Sequence, residues 1–208
     1  HQTLLAGIAA SILKVSVEDI HVITGDTAAV NFGLGSYASR TTVNAGNSVF
    51  QASRDLVQQA LAKVSEWIEV PPEELECTDG KIAPLGAPDL GLSWEQIARR
   101  LWFSEKKKLS VSASFTPETV TYAHAVHGVI VEVDPDTGFV AIKDYCVAHD
   151  CGNPITPQLI EGQIHGGVVQ GIGEALWEAL VYDPSTGQLI NGSLIDYGLV
   201  TSMESPSI

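Results

Sequence analysis

Cysteine is scarce in this chain: Cys77, Cys146 and Cys151 are the only three among 208 residues. An odd, sparse count argues against the disulfide framework of a small secreted domain and points to a reducing compartment, the cytoplasm. It also excludes an iron–sulfur cluster held by this chain's cysteines alone, because that takes four thiolates. No uncharged apolar run reaches the roughly 20 residues that a membrane-spanning helix needs. The nearest candidate, Ile164 to Leu180, is broken by Gln170, Glu174 and Glu178. Basic residues are few, 11 Lys and Arg against 25 Asp and Glu, and the formal net charge is -14. That balance repels nucleic acid and anionic membrane alike. Internal repeats and low-complexity tracts are missing. The longest run of like charge, Lys106-Lys107-Lys108, reads as a solvated turn.

What is present is a globular composition, 45% hydrophobic and 17% charged, in a length that suits one large domain or two small ones. Leu4 to Leu13 has helical spacing. Ser16 to Thr24 reads as a turn and a strand centred on His21-Val22-Ile23-Thr24. Val49, Ala52, Leu56, Ala60, Val64 and Ile68 recur at three- and four-residue steps, which predicts a long helix over Asn44 to Val70. Pro71-Pro72 stops it. Asp79-Gly80 marks a hairpin turn within Leu75 to Ile82. Ser93 with Gln96 is a capping box that opens a short helix. Tyr122 to Val133 and Phe139 to His149 predict an antiparallel hairpin. Thr156-Pro157 opens a helical pattern to Leu180, and a last hairpin is expected over Val181 to Ile190. Gly86 to Gly91 is the one soft junction. Helices mix with antiparallel hairpins without βαβ alternation, so the fold class is α+β.

Two segments carry candidate chemistry. Gly25 to Gly46 has almost no apolar periodicity and concentrates Gly33, Gly35, Ser36, Ser39, Arg40, Thr41 and Thr42. Small residues admit close approach of a ligand, hydroxyls and N–H groups donate to phosphate oxygens, and an arginine neutralises them. The following helix directs its positive end at the same place. This reads as an anion-cradling loop; an ordinary polar loop that caps a helix is the alternative. The second segment is the helix after Thr156, where Gly162, Gly166, Gly167, Gly171 and Gly173 each cost about 1 kcal/mol relative to alanine. Tight packing against another element would compensate, as would passage close to a bulky buried cofactor with Gln170 offered to it.

The remaining motifs carry less. Strand alternation separates Cys146 from His149 and Cys151, so Cys146, His149, Asp150 and Cys151 do not form a zinc site, and no metal ligand is assigned. His124 and His127 fall on opposite strand faces and read as packed, hydrogen-bonded histidines. Glu161 and His165 read as a helix-surface pair. Gly33-Leu34-Gly35-Ser36-Tyr37-Ala38 matches a G-x-G-x-x-A dinucleotide fingerprint, but the loop residues from Gly25 onward separate it from the expected strand, which ends at Thr24, so a nicotinamide-dependent dehydrogenase is a weaker alternative.

The segments GSYASRTT with NAG, YAHAVHGVIVEVDPDTG, DCGNPITPQLIEGQIHGGVVQGIGEAL and GSLIDYGLV occur in this order. Together they resemble the molybdenum-cofactor-binding large subunit of the xanthine dehydrogenase, aldehyde oxidase and carbon monoxide dehydrogenase family. The resemblance implies a C-terminal fragment, residues 1–208, of a larger molybdopterin-binding domain. It implies molybdopterin or molybdopterin cytosine dinucleotide with molybdenum as cofactor, and hydroxylation of an aldehyde, heterocycle or related carbon with water as oxygen source. Cofactor-binding roles fall on Ala38, Ser39, Arg40 and Thr41 in the loop, with Gln170 toward the metal. His1, Asp150 and Asn153 are secondary candidates, and Arg40 has an alternative role as a loop anchor to a carboxylate. The family's catalytic glutamate would lie beyond Ile208, so no catalytic residue is expected here and these residues alone are expected to be inactive. Expected partners are the rest of the large subunit, 2Fe-2S and FAD domains or subunits, and a small-molecule substrate. A non-catalytic structural or assembly subunit is the alternative from another class.

Overall fold

The computed structural model describes residues 1–30, 33 and 35–208. The chain forms two compact units, His1–Val120 and Thr121–Ile208, and its class is α+β, with antiparallel sheets only among the described residues. Residues 86–91 lie inside the first unit.

The first unit is built on the long amphipathic helix. Helix α1 (Gln2–Leu13) packs along the start of α2 (Asn47–Ile68), and a π-helical turn, Thr42–Gly46, leads directly into α2. Gly46 permits that approach, since a Cβ there would stand 3.2 Å from Ile8 Cδ1. Strands β1 (Leu75–Thr78), β2 (Lys81–Pro84) and β3 (Leu92–Ser93) form a small antiparallel sheet. Helix α3 (Trp94–Arg100) follows, opened by the Ser93–Gln96 capping box. Ala60, Leu61 and Val64 of α2 pack with Leu75, Ile82, Ile97 and Leu101 in one core. Fully burying such an aliphatic side chain contributes about 1.5–3 kcal/mol. Leu13 O accepts from Trp94 Nε1 at 2.9 Å and Cys77 Sγ at 3.5 Å, which ties the end of α1 to the sheet and α3. Burial raises the Cys77 thiol pKa above its ordinary value, with a smaller opposing influence from Lys14.

The second unit holds the hairpin β4 (His124–Val133) and β5 (Val140–Asp150), with a register shift at Ile130/Val131, and helix α4 (Pro157–Leu176). Asp134 accepts from the N–H groups of Asp136 and Thr137 to shape the turn between the strands.

Several expectations fail locally. His21 to Thr24 carries no strand. No described strand pairs with it, and an isolated strand gains no ladder hydrogen bonds. Thr156 precedes α4 but its side chain makes no cap; Pro157 does occupy the first turn. Helix α4 ends at Leu176 instead of Leu180, because Trp177 N and Glu178 N both turn back to Gly173 O. The last hairpin shrinks to a single bridge, Tyr182–Leu189, around a turn that Asp183 organises.

Candidate functional site

The polar loop before α2 gathers hydrogen-bonding groups around an exposed turn. Tyr37 to Arg40 is a turn closed by Arg40 N donating to Tyr37 O at 3.3 Å. Its two central residues, Ala38 and Ser39, have φ of 53° and 52°. Neither is glycine, and left-handed backbone costs an L-residue roughly 1–2 kcal/mol. Such strain concentrates at ligand clamps and active sites. Around the turn runs a side-chain chain: Thr41 Oγ1 donates to Ser36 Oγ at 2.9 Å, and Ser36 Oγ lies 2.7 Å from His1 Nε2. His1, Ser36 and Thr41 thus meet in one network in the first unit. All the members but Thr41 are exposed, and Thr41 is half-buried.

The alternative role of Arg40 as a loop anchor finds no carboxylate partner for it among the described residues. The ion pairs among the described residues do not include it. Its guanidinium instead stacks over the Tyr37 ring, 3.9 Å from the centroid. A stacked guanidinium keeps its charge and its in-plane donors. The helix following the loop starts as the π turn at Thr42, so its positive end lies at the loop.

In the second unit, the α4 glycines divide into three groups. Gly162 and Gly166 share the face of Gln170, opposite the buried Val168 and Ile172; all three are exposed, and a Cβ at either glycine would meet nothing within 4 Å. Gly167 and Gly171 instead border a cleft of about 430 Å³ between α4 and the hairpin, opposite His127, Val129 and Tyr145. Gly173 is packed beneath Glu178 and Val200 at the helix end. Helical phase sets Gly167 and Gly171 apart from Gly162 and Gly166, whereas Gly173 shares the phase of Gly162 and is set apart by the segment that folds back over the helix end. Asp150 Oδ1 accepts from Gly152 N at 2.9 Å and forms a turn past β5, while Asn153 is exposed in the same loop.

The histidines resolve differently. His127 packs edge-on to Tyr145, with Nδ1 3.1 Å from the hydroxyl. His124 is exposed at the start of β4. Among the described residues no group of three or more His, Cys, Asp or Glu could hold a metal ion, and the three cysteines are free. The G-x-G-x-x-A motif includes Leu34, which lies outside the described residues with Asn31 and Phe32. Residues 21–30 carry no strand before that motif, and the described sheets are antiparallel. No described helix is long and apolar enough to cross a membrane.

Within the first unit, the residues of the loop fit a phosphate-bearing group. The loop offers hydroxyls, an imidazole, an unbridged guanidinium and a helix N-terminus, the donor set that buried phosphate charge needs. Within the second unit, the outer face of α4 offers exposed glycine backbone and one amide side chain, which admits close approach of a ligand. In the sequence Ser36 stands out only as one of the small polar residues of the anion-cradling loop, and Tyr37 only as part of the G-x-G-x-x-A match; the signal available was the density of hydroxyls beside Arg40.

Residues 1–206 match the molybdopterin cofactor-binding domain family. The chain is 34% identical over 213 residues to the nicotine 6-hydroxylase large subunit of Paenarthrobacter nicotinovorans, covering 99% of this chain and 26% of that protein. It is 29% identical to the carbon monoxide dehydrogenase large chain of Afipia carboxidovorans, covering 99% of this chain and 26% of the relative. The crystal structure of quinoline 2-oxidoreductase from Pseudomonas putida 86 superposes with a TM-score of 0.88 at 31% identity, over 100% of this chain and 27% of that one. The chain therefore spans about a quarter of the length of the relatives it matches. By matched span, fold and the order of its motifs, the chain belongs to the molybdopterin cofactor-binding domain family.

Proposed function

We propose that this chain supplies part of the cofactor cradle of a molybdenum hydroxylase, a molybdenum-dependent oxidoreductase that oxidises an aldehyde, a heterocycle or a related carbon centre. The observation that carries this reading is the strained turn at Ala38-Ser39 set beside the His1–Ser36–Thr41 network and the unbridged Arg40. Ser39, Arg40 and Thr41 hold the phosphate end of molybdopterin or its cytosine dinucleotide, with Ala38 bringing backbone close and His1 completing the rim. Asp150 and Asn153 grip a cofactor edge from the loop after β5. Gln170, exposed on the glycine face of α4, offers one amide toward the metal end. The bound group supplies two-electron redox chemistry with water as the source of oxygen; this chain's residues bind, orient and neutralise charge. The relatives are a large subunit and a large chain, which supports an assembly of several subunits; 2Fe-2S and FAD carriers would sit on its other domains or subunits.

The decisive variant is Ser39→Ala with Arg40→Glu in the full-length parent protein. Ser39→Ala removes a hydroxyl and Arg40→Glu places a carboxylate where an anion would sit. Neither side chain belongs to the core. The purified protein is expected to melt normally and to carry little molybdenum or pterin. Full occupancy in that variant refutes the cradle. A companion change, Gln170→Ala, is expected to slow turnover roughly ten- to a hundredfold, the equivalent of one lost hydrogen bond to a charged group, about 1.5–3 kcal/mol.

A further inference from the structure

Basic charge is unevenly spread in this acidic chain. Arg99, Arg100, Lys106, Lys107 and Lys108, five of its eleven Lys and Arg, fall within ten residues, against a single acid, Glu105. Within the same stretch Trp102 and Phe103 are exposed, at 48% and 66%. The fold turns this stretch into a shaped surface. The helix α3 loosens into a π turn, Leu101–Glu105, and Lys106 reverses the chain at φ 54°. Beside the turn lies a cleft of about 270 Å³, with Ala62, Leu101 and Leu109 as apolar walls and Lys63, Lys107 and Lys108 as basic groups. Lys108 and Lys106 hover 5.9 Å from the Trp102 and Phe103 rings. Glu105 already pairs with Lys107 at 3.3 Å and with Lys63 at 3.6 Å. That leaves Lys106 and Lys108 with aromatic faces and no carboxylate partner among the described residues.

We propose that this surface docks an acidic segment of a partner polypeptide, with carboxylates meeting Lys106, Lys107 and Lys108 and an apolar side chain entering beside Leu101. Charge complementarity selects the occupant: a net-positive patch on a chain of net charge -14 is complementary to acidic, not basic, protein. Exposed Trp and Phe at its edge supply the aromatic contact area characteristic of interface centres. A polypeptide fits better than a small anion, because the exposed rings extend the contact beyond the cleft.

Carbodiimide treatment of the purified native complex, followed by peptide mass spectrometry, tests this directly, since zero-length coupling joins a lysine amine only to a carboxylate in contact. The expected product is an isopeptide bond from Lys106, Lys107 or Lys108 to an Asp or Glu of another polypeptide. Coupling confined to Glu105 or other residues of the same chain, or no coupling of these lysines, overturns the proposal. The variant Lys107→Glu with Lys108→Glu is expected to weaken the association about tenfold or more, with the loss shrinking as salt rises. The milder Lys107→Gln with Lys108→Gln should fall between it and wild type with unchanged melting. Equal association across all three proteins at low salt also overturns it. Molybdenum content should be unchanged in every case, so this result is separable from a failure of the cofactor cradle.

Discussion

In the first unit, Ile82, Ile97 and Val64 are wholly buried and one cluster joins α2, the small sheet and α3. In the second, all ten residues of β4 are exposed, with Val126 at 72% and Ile130 at 60%, and the buried apolar residues are Val168 and Ile172 of α4. The glycines repeat the contrast. Gly91 in the first unit is walled in, with a Cβ there falling 2.7 Å from Ala83 Cβ. Gly162, Gly166, Gly167 and Gly171 of α4 face open space. Charge divides too: Lys143 is the only Lys or Arg after Val120. The first unit carries its own reason to fold. The second presents apolar strand faces and bare helix backbone, surfaces of the kind that mark interaction or ligand sites.

The sharpest way to break this comparison is a pair of truncations. Ile97→Ala should cost the first unit about 2–5 kcal/mol, whereas Val129→Ala, at a half-exposed position, should cost this chain no more than about 0.5 kcal/mol. Denaturant unfolding of both variants would dissolve the distinction if the two losses came out equal. Next in size is Gly91→Ala. Its backbone conformation suits any residue, but the added methyl collides with Ala83 and with the Ile82 and Pro88 carbonyls, for an expected loss of about 1–3 kcal/mol from overpacking.

Gly166→Ala should act with the opposite sign. With nothing near its Cβ, the change should stabilise α4 in the cofactor-free chain by about 1 kcal/mol through helix propensity. In the loaded parent protein the same methyl should lower molybdenum content if that face meets the cofactor. A stabilised helix with full molybdenum would leave the outer glycines without a ligand. The smallest effect concerns the turn after Tyr182. Hydrogen bonds from the Ser185 hydroxyl, then the Thr186 and Ser185 N–H groups, hold the Asp183 carboxyl pKa down to about 2. A depressed carboxylate stabilises the fold fully above its unfolded value near about 4 and loses that contribution as pH falls toward about 2. Asp183→Asn should flatten this dependence between pH 4 and 2, read by stability measurements across that window; an unchanged slope would assign the turn to other groups.

Much of this fold is legible along the chain because its signals are local. The Ser93–Gln96 box, the Asp79-Gly80 turn and the β4–β5 hairpin each depend on residues close in sequence, and each forms as expected. The 3.6-residue stripe of α2 is equally readable, since one helix face must be buried. His21 to Thr24 is the instructive failure: its residues favour a strand, but pairing needs a distant partner that the described residues do not supply. The candidate site was half legible. Ser39, Arg40 and Thr41 stand out by composition, whereas the Ser36–His1 contact bridges 35 positions and leaves no trace in local pattern.

By itself the sequence determined the acidic balance, the helix stripes and turns, the concentration of phosphate-type donors between Ser36 and Thr42, and the family to which its ordered motifs belong. These follow from residue chemistry and short-range periodicity. Tertiary structure alone decided that Ala38 and Ser39 take left-handed backbone, that Arg40 stacks on Tyr37, and that the α4 glycines face three different surroundings. Each of those depends on which groups arrive from elsewhere to fill space or satisfy a polar atom, and no spacing along a chain encodes that arrival.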